Sequence, residues 1–311
     1  MPVNSLPHVY NPVNGYWATA NENNVPQDFE HLNAVGWTWA ESFRVDRISE
    51  VLASGKKHSL QDMMALQFDY LSIPARALVL LLKDLESPDT KTEAVRQQLM
   101  QWDFILDKSS VEAAIYVAWE KALRESMMAL MVPEAGKKLV RSVPLNKMIN
   151  WISTGRPELG GIAGRDQFLL QTLKTAVDDL TKKLGADIKK WQYGQAAYHH
   201  VLIKHPFSNA VDEVTRKKLQ MGPLPRGGYG QTPGMTTNSE NQIAGATFRI
   251  VADTKDWDNC MFTNTPGQSG NPDSPFYKNL FQLWATDKHF PVYFSRKMVE
   301  KSAVEKTMLK P

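Results

Sequence analysis

Apolar residues recur every four positions through Val111, Ile115, Trp119, Leu123, Met127 and Met131, which lays one stripe along a helix. Leu169, Leu173, Val177, Leu180 and Leu184 repeat the pattern and predict a second helix starting near Asp166. Pro74, Pro88, Pro133 and Pro144 punctuate the chain around them, so residues 46–190 read as a zone of several helices. Trp and Met on such stripes belong to a core, because burial alone accounts for them. This zone is scaffold.

Two zones of different character flank it. Residues 8–45 are rich in turns and aromatics, and Asn11-Pro12 and Asn14-Gly15 bracket short strand candidates there. After Trp191, the stretch Met221–Gly245 carries Gly222, Gly227, Gly228, Gly230 and Gly234 with Pro223, Pro225 and Pro233, and almost no apolar periodicity. It reads as a long loop of the kind that is functional or disordered. Thr247–Asp253 then alternates, with Phe248 and Ile250 on one face and Arg249 opposite, as a half-buried strand does. Residues 258–263 are expected to pair with it through a turn at Lys255-Asp256. A helix is expected over residues 274–286 and a last short strand over Val292–Phe294.

Composition narrows the classes further. With 42% hydrophobic and 22% charged residues the chain is globular rather than disordered. A net charge of +3 without a long basic block argues against nucleic acid, whose binding needs clustered Lys and Arg. Cys260 is the sole cysteine, which rules out an intrachain disulfide. No apolar run approaches the ~20 residues that span a bilayer, so no membrane partner is expected. Met1–Pro12 shows no basic stretch followed by an apolar one, so no signal peptide is read there.

Few residue sets carry chemistry on their own. Gly267-Gln268-Ser269-Gly270 falls short of a nucleophile elbow, because Asn271 stands where a glycine is required; a glycine turn is the better reading. His199, His200 and His205 lack the spacing and carboxylate partners of a metal site, and neighbouring histidines point apart. Gly227-Gly228-Tyr229-Gly230 lacks the Lys and Ser/Thr of a phosphate loop, and Cys260 sits among apolar neighbours as an inert thiol does. The residues alone therefore give a helical zone between two zones of strands and loops, with no complete catalytic set.

Four motifs, in order, resemble the penicillin amidase family. They are Asn11-Pro12 with Gly15-Tyr16-Trp17-Ala18-Thr19-Ala20-Asn21 and Arg44-Val45-Asp46-Arg47-Ile48; Trp191-Gln192-Tyr193-Gly194 with His200 and His205-Pro206; Gly227-Gly228 with Thr236-Thr237-Asn238 and Gly245-Ala246-Thr247-Phe248-Arg249; and Pro266-Gly267-Gln268-Ser269-Gly270 with Asp273-Ser274-Pro275. The chain closes on Leu309-Lys310-Pro311, similar to that family's Leu-x-Pro end. The resemblance is tight at both ends and loose through residues 50–190.

The resemblance implies an α+β fold, part of the αββα sandwich of N-terminal-nucleophile hydrolases with a large helical insertion. Residues 1–45 would give strands and loops of that core, residues 46–190 the insertion, and residues 191–311 the return to the core. It implies hydrolysis of an acylated amine by an N-terminal Ser whose own α-amino group is the base. Asn21 would donate to the oxyanion, with Asn23 as the alternative if the gap is placed differently, and Arg44 would brace the site. Asn33 falls near a family calcium position, so calcium is a cofactor by resemblance only. Only twenty residues precede Asn21, and Ser5 is not N-terminal, so the expected partner is an upstream acylase segment bearing the N-terminal Ser. Alone, the chain is expected to be inactive; the alternative readings are a non-catalytic helical binding protein and a degenerate acylase kept for ligand binding. A periplasmic or extracellular location is likewise implied by resemblance only. Set against this are a turn or cap role for Asn21 and an ion pair of Arg44 with Asp46 or Glu50.

Overall fold

The computed structural model describes residues 2–310 and places ten α-helices, five strands and several single 3₁₀ turns among them. Pro311, the last residue of the Leu-x-Pro end, lies outside the described residues. The helical zone opens with α1 (Phe43–Leu52), α2 (Leu60–Gln67), α3 (Ile73–Val79) and α4 (Thr90–Leu99). It continues through α5 (Val111–Met131), α6 (Leu145–Thr154) and α7 (Gly161–Leu184).

The stripe of α5 falls where the four-residue spacing put it, and Ser110 caps its start by accepting the Ala113 N–H at 3.0 Å. α7 carries Leu169, Leu173, Val177 and Leu180 into the same core. Trp119 of α5 is wholly buried and donates from Nε1 to Thr172 Oγ1 of α7 at 3.1 Å, so the helix pair is joined by a bond as well as by packing. Burying each such side chain contributes about 1.5–3 kcal/mol. No helix among the described residues is long and apolar enough to cross a membrane.

The rest of the chain holds β1 (His200–Ile203), α8 (Glu213–Leu219), β2 (Met221–Pro225), β3 (Arg249–Val251), β4 (Cys260–Thr263), α9 (Phe281–Ala285), β5 (Phe290–Val292) and α10 (Arg296–Ser302). Strands β1 and β2 form one antiparallel pair; β3, β4 and β5 form a second small sheet in that order. The expected hairpin is present, with Arg249 opposite Thr263 and Val251 opposite Met261. Cys260 is buried at the start of β4.

Several expectations are corrected. No strand forms between residues 2 and 45. Local turns, such as Gly15 N–H to Pro12 O at 2.9 Å and Phe29 N–H to Pro26 O at 3.1 Å, take up backbone groups there. An extended segment needs a neighbouring ladder, and among the described residues none is offered. The expected helix over 274–286 shrinks to five-residue α9, because the Phe276 carbonyl is claimed by the N–H groups of Gln268 and Ser269 in the glycine turn. The last strand lies two residues earlier than expected, since the Phe294 N–H goes to Asp258 Oδ1 at 2.8 Å instead of a ladder.

The alternation of β3 is present, and the structure decides which face is inside. Arg249 and Val251 are buried, while Phe248 and Ile250 are exposed. Arg249 turns inward because its guanidinium lies over aromatic rings, 4.4 Å from the Phe68 centroid and 5.9 Å from that of Trp284. Phe248 and Ile250, together with Arg249 and Val251, line a cavity of about 980 Å³ shared with Leu60, Met63 and Leu66 of α2.

The stretch read as one long loop is neither disordered nor wholly irregular. Its first five residues are β2, and beyond them Tyr229 is fully buried and shares a 2.8 Å hydrogen bond with Ser72 at the start of α3. Gly228 and Gly234 press on the Tyr70 ring: a Cβ at Gly228 would stand 2.7 Å from it, and one at Gly234 2.5 Å. The glycines form a collar around an aromatic side chain, a packing use in place of the ligand contact expected from such a loop.

Candidate functional site

Asn21 and Arg44 are 23 residues apart in sequence, and the fold joins them: Arg44 Nη2 donates to Asn21 Oδ1 at 2.9 Å. Arg44 sits in the first turn of α1, whose rigid backbone aims its side chain at the N-terminal segment. Asn21 has φ +70°, a left-handed conformation that Asn tolerates better than other side-chain-bearing residues. Its carbonyl accepts the Ala40 N–H at 2.8 Å, which ties the turn to the segment leading into α1. The turn reading of Asn21 is thus correct for its backbone, while its side chain is committed elsewhere.

The ion-pair reading of Arg44 does not hold. Asp46 accepts from Ser42 Oγ at 2.8 Å, and Glu50 is taken by Arg47 and Arg76. Partial burial lowers the Arg44 pKa, with the negative charge of Glu22 opposing that shift. Asn21 Oδ1 thus accepts from a guanidinium, and the residue is exposed. Asn23 does something different: its Oδ1 accepts the Val25 N–H at 3.2 Å in a local turn, and no guanidinium holds it.

Asn33 is exposed in the 3₁₀ turn Leu32–Ala34. A calcium ion takes six to eight oxygens, usually including carboxylates. No group of three or more His, Cys, Asp or Glu able to hold a metal ion occurs among the described residues. A single neutral amide does not fit the family's calcium position, and no chemistry is assigned to a metal.

Two of the three histidines set aside in sequence have structural partners, whereas His200 Nδ1 is buried without one. His205 caps the turn Pro206–Asn209 through Nδ1 at 3.1 Å from the Phe207 N–H. His199 is buried and stacks on Tyr193 at 4.3 Å, with Ser239 O 3.2 Å from Nδ1 and Gln242 Nε2 2.7 Å from Nε2. Those partners require a neutral ring that donates from Nδ1 and accepts at Nε2. Burial pushes its pKa down to about 4, against the pull of the Ser239 and Gly228 carbonyls. The unfolded chain therefore binds this proton first. The contribution is intact above about pH 6.5 and is lost as pH falls through about 4, some ~3 kcal/mol in all. Urea unfolding at pH 7 and pH 4 is expected to show that loss in the parent protein and a clearly smaller one in His199→Gln.

Sequence reasoning missed one charged cluster near these elements. Arg226, Asp287 and Tyr70 are linked by hydrogen bonds, and Arg226 and Arg249 both lie on the Trp284 ring. Alternation put Arg249 opposite Phe248 and Ile250 without saying which face is inside, and Asp287 follows α9 with no pattern to mark it. The buried face of β3 was the missing signal.

The chain is 24% identical over 325 residues to the acyl-homoserine lactone acylase QuiP of Pseudomonas aeruginosa, a match covering 91% of this chain and 38% of that protein. It is 26% identical over 330 residues to the penicillin acylase 2 proenzyme of a Pseudomonas species, covering 100% of this chain and 40% of the proenzyme. The chain thus spans about two fifths of the length of these curated relatives. Among solved structures it is similar to the thermostable penicillin G acylase from Alcaligenes faecalis, with TM-score 0.60 and 16% identity over 97% of this chain and 58% of that one. That likeness bears out the expected α+β fold class. The penicillin amidase family profile matches residues 1–301, and with the order of motifs and the fold in agreement, the chain belongs to the penicillin amidase family.

Proposed function

We propose that these residues form the oxyanion-binding part of an acylase that hydrolyses an acylated amine of the penicillin or N-acyl-homoserine lactone type. In this reading the N-terminal Ser nucleophile comes from polypeptide outside the 311 residues. The observation that carries the proposal is the bond from Arg44 to Asn21 Oδ1. It fixes the amide so that Nδ2 is the group offered, which is what a developing oxyanion requires. Asn23 lacks such a brace and is the weaker donor.

The division of labour follows from geometry. Acyl transfer needs an activated nucleophile on one side of the carbonyl and fixed donors where negative charge develops. The braced Asn21 suits the second task and none of the first. Relatives bearing acylase names, matched over nearly the whole of this chain, support the reaction class. The amine and acyl preferences are left to the remaining polypeptide.

The 311-residue chain alone is expected to hydrolyse no phenylacetyl or fatty-acyl anilide. Produced together with the coding sequence immediately upstream of it, the chain is expected to show turnover. Turnover by the chain alone, surviving repeated purification, would mean that it holds its own nucleophile and would sink this reading.

A further inference from the structure

The cluster under β3 carries an excess of positive charge that the protein does not balance. Arg226 is 3% exposed and Arg249 is 7% exposed, so both are effectively removed from water. Among the described residues, Arg226 has one carboxylate partner, Asp287, whose Oδ1 accepts from Arg226 Nη2 at 3.2 Å and whose Oδ2 accepts from the Tyr70 hydroxyl at 2.7 Å; Arg249 has no carboxylate partner there. Nearby His289 and Lys108 bring no negative charge. Burial and the neighbouring Arg226 charge push the Arg249 pKa down to about 10, still far too high for it to lose its proton at neutral pH. Counting the buried and half-buried groups alone, two cations face one anion, and exposed Lys108 adds positive charge nearby.

Unmade hydrogen bonds accompany the unbalanced charge. Arg226 Nη1 and Arg249 Nη1 are buried without a partner, and so is Thr263 Oγ1. Arg249 and Thr263 are register partners on β3 and β4, so their side chains emerge on the same face of the sheet, close together. The two guanidiniums share the Trp284 ring, at 4.1 and 5.9 Å from its centroid. Buried polar groups in native proteins are almost always paired, and an unpaired buried charge is especially costly. Of the four residues, Arg249 alone lines the 980 Å³ cavity between α2 and β3.

The geometry points to a binding site for a small monocarboxylate, held by Arg226, Arg249 and Thr263 against the Trp284 ring. A monoanion brings the cluster to charge balance, whereas a phosphate dianion overshoots it. Guanidinium forks also match the planar carboxylate. The site stands on groups other than Asn21 and Arg44, and it holds whether or not the proposed acylase role does.

Isothermal titration of the purified protein with formate, at constant ionic strength maintained with chloride, tests it. Saturable binding at one site is expected. Arg226→Gln leaves Arg249 and Asp287 to balance each other and is expected to weaken formate roughly tenfold or more, as loss of a charged donor does. Thr263→Val removes a hydroxyl that has no protein partner. It is expected to weaken formate about two- to tenfold without lowering the melting temperature. Absence of saturable binding overturns the proposal, including the case in which an acidic side chain of additional polypeptide already fills the site. If Arg226→Gln does not fold, Thr263→Val decides: unchanged affinity overturns the site, and weakened affinity with unchanged melting temperature supports it.

Discussion

Asn21→Ala, made in the complete enzyme, is expected to lower kcat by roughly 10²–10³ with little change in KM. That is the scale seen when one side-chain donor is removed from an oxyanion hole. The split between the two constants matters. A donor aimed at charge that develops only in the transition state contributes little to the ground state, so its loss falls on kcat. Arg44→Met leaves the amide in place but frees it to rotate, and is expected to cost less than Asn21→Ala itself. The double variant should be no worse than Asn21→Ala, since both substitutions act through the one hydrogen bond. Steady-state kinetics on the four proteins checks this. A kcat loss within twofold for Asn21→Ala would return that residue to its turn, and Asn23 would be tested next.

The second large effect concerns the isolated chain. Its helical core is closed, but the flanking zones are not. Tyr10 is 87% exposed, Trp37 82% and Trp17 57%, and Phe248 and Ile250 stand open on β3. Burial contributes about 25 cal/mol per Å², so several hundred Å² left uncovered forgoes on the order of 10 kcal/mol, comparable to the whole stability of a domain. Strands β3 and β5 are also the two edges of their sheet, each with one side unpaired by a strand. The chain on its own is therefore expected to self-associate, with amides of α5 exchanging far more slowly than those of β3. Hydrogen exchange with mass detection, alongside light scattering, measures both. A monomer in which β3 is protected as well as α5 would mean the flanking zones are stable without cover.

What was legible in the sequence follows from how local the signals are. α5 was read with its bounds, because Ser110 caps one end and the stripe runs unbroken from Val111 to Met131. α7 was read in its apolar positions, though its start at Gly161 came earlier than Asp166, since Leu159 and the glycines after it carry no stripe. The hairpin of β3 and β4 was also visible. Its facing was not, because period-two alternation says which residues share a side and leaves open which side is inside. The aromatic rings that draw Arg249 inward come from Phe68 and Trp284, distant in sequence. β2 was hidden by its own Gly222, Pro223 and Pro225, which carry turn signals in a strand that pairs along one edge only. The pairing of Asn21 with Arg44 was reached through family resemblance; spacing and composition alone left Asn21 a turn residue.

The collar around Tyr70 also constrains the order in which the chain can assemble. Tyr70 leaves the ribosome more than 150 positions before Gly228 and Gly234, the glycines that press on its ring. Its hydroxyl waits longer still, for a partner 217 residues away at Asp287. Domains emerging from the N-terminal side fold as their own contacts become available, whereas contacts of such long range close late. The helices α3 to α7 are thus all synthesised before one of the aromatic rings among them can gain its cover. The glycine-rich segment then arrives as a clasp that fits only a bundle already holding Tyr70 in place.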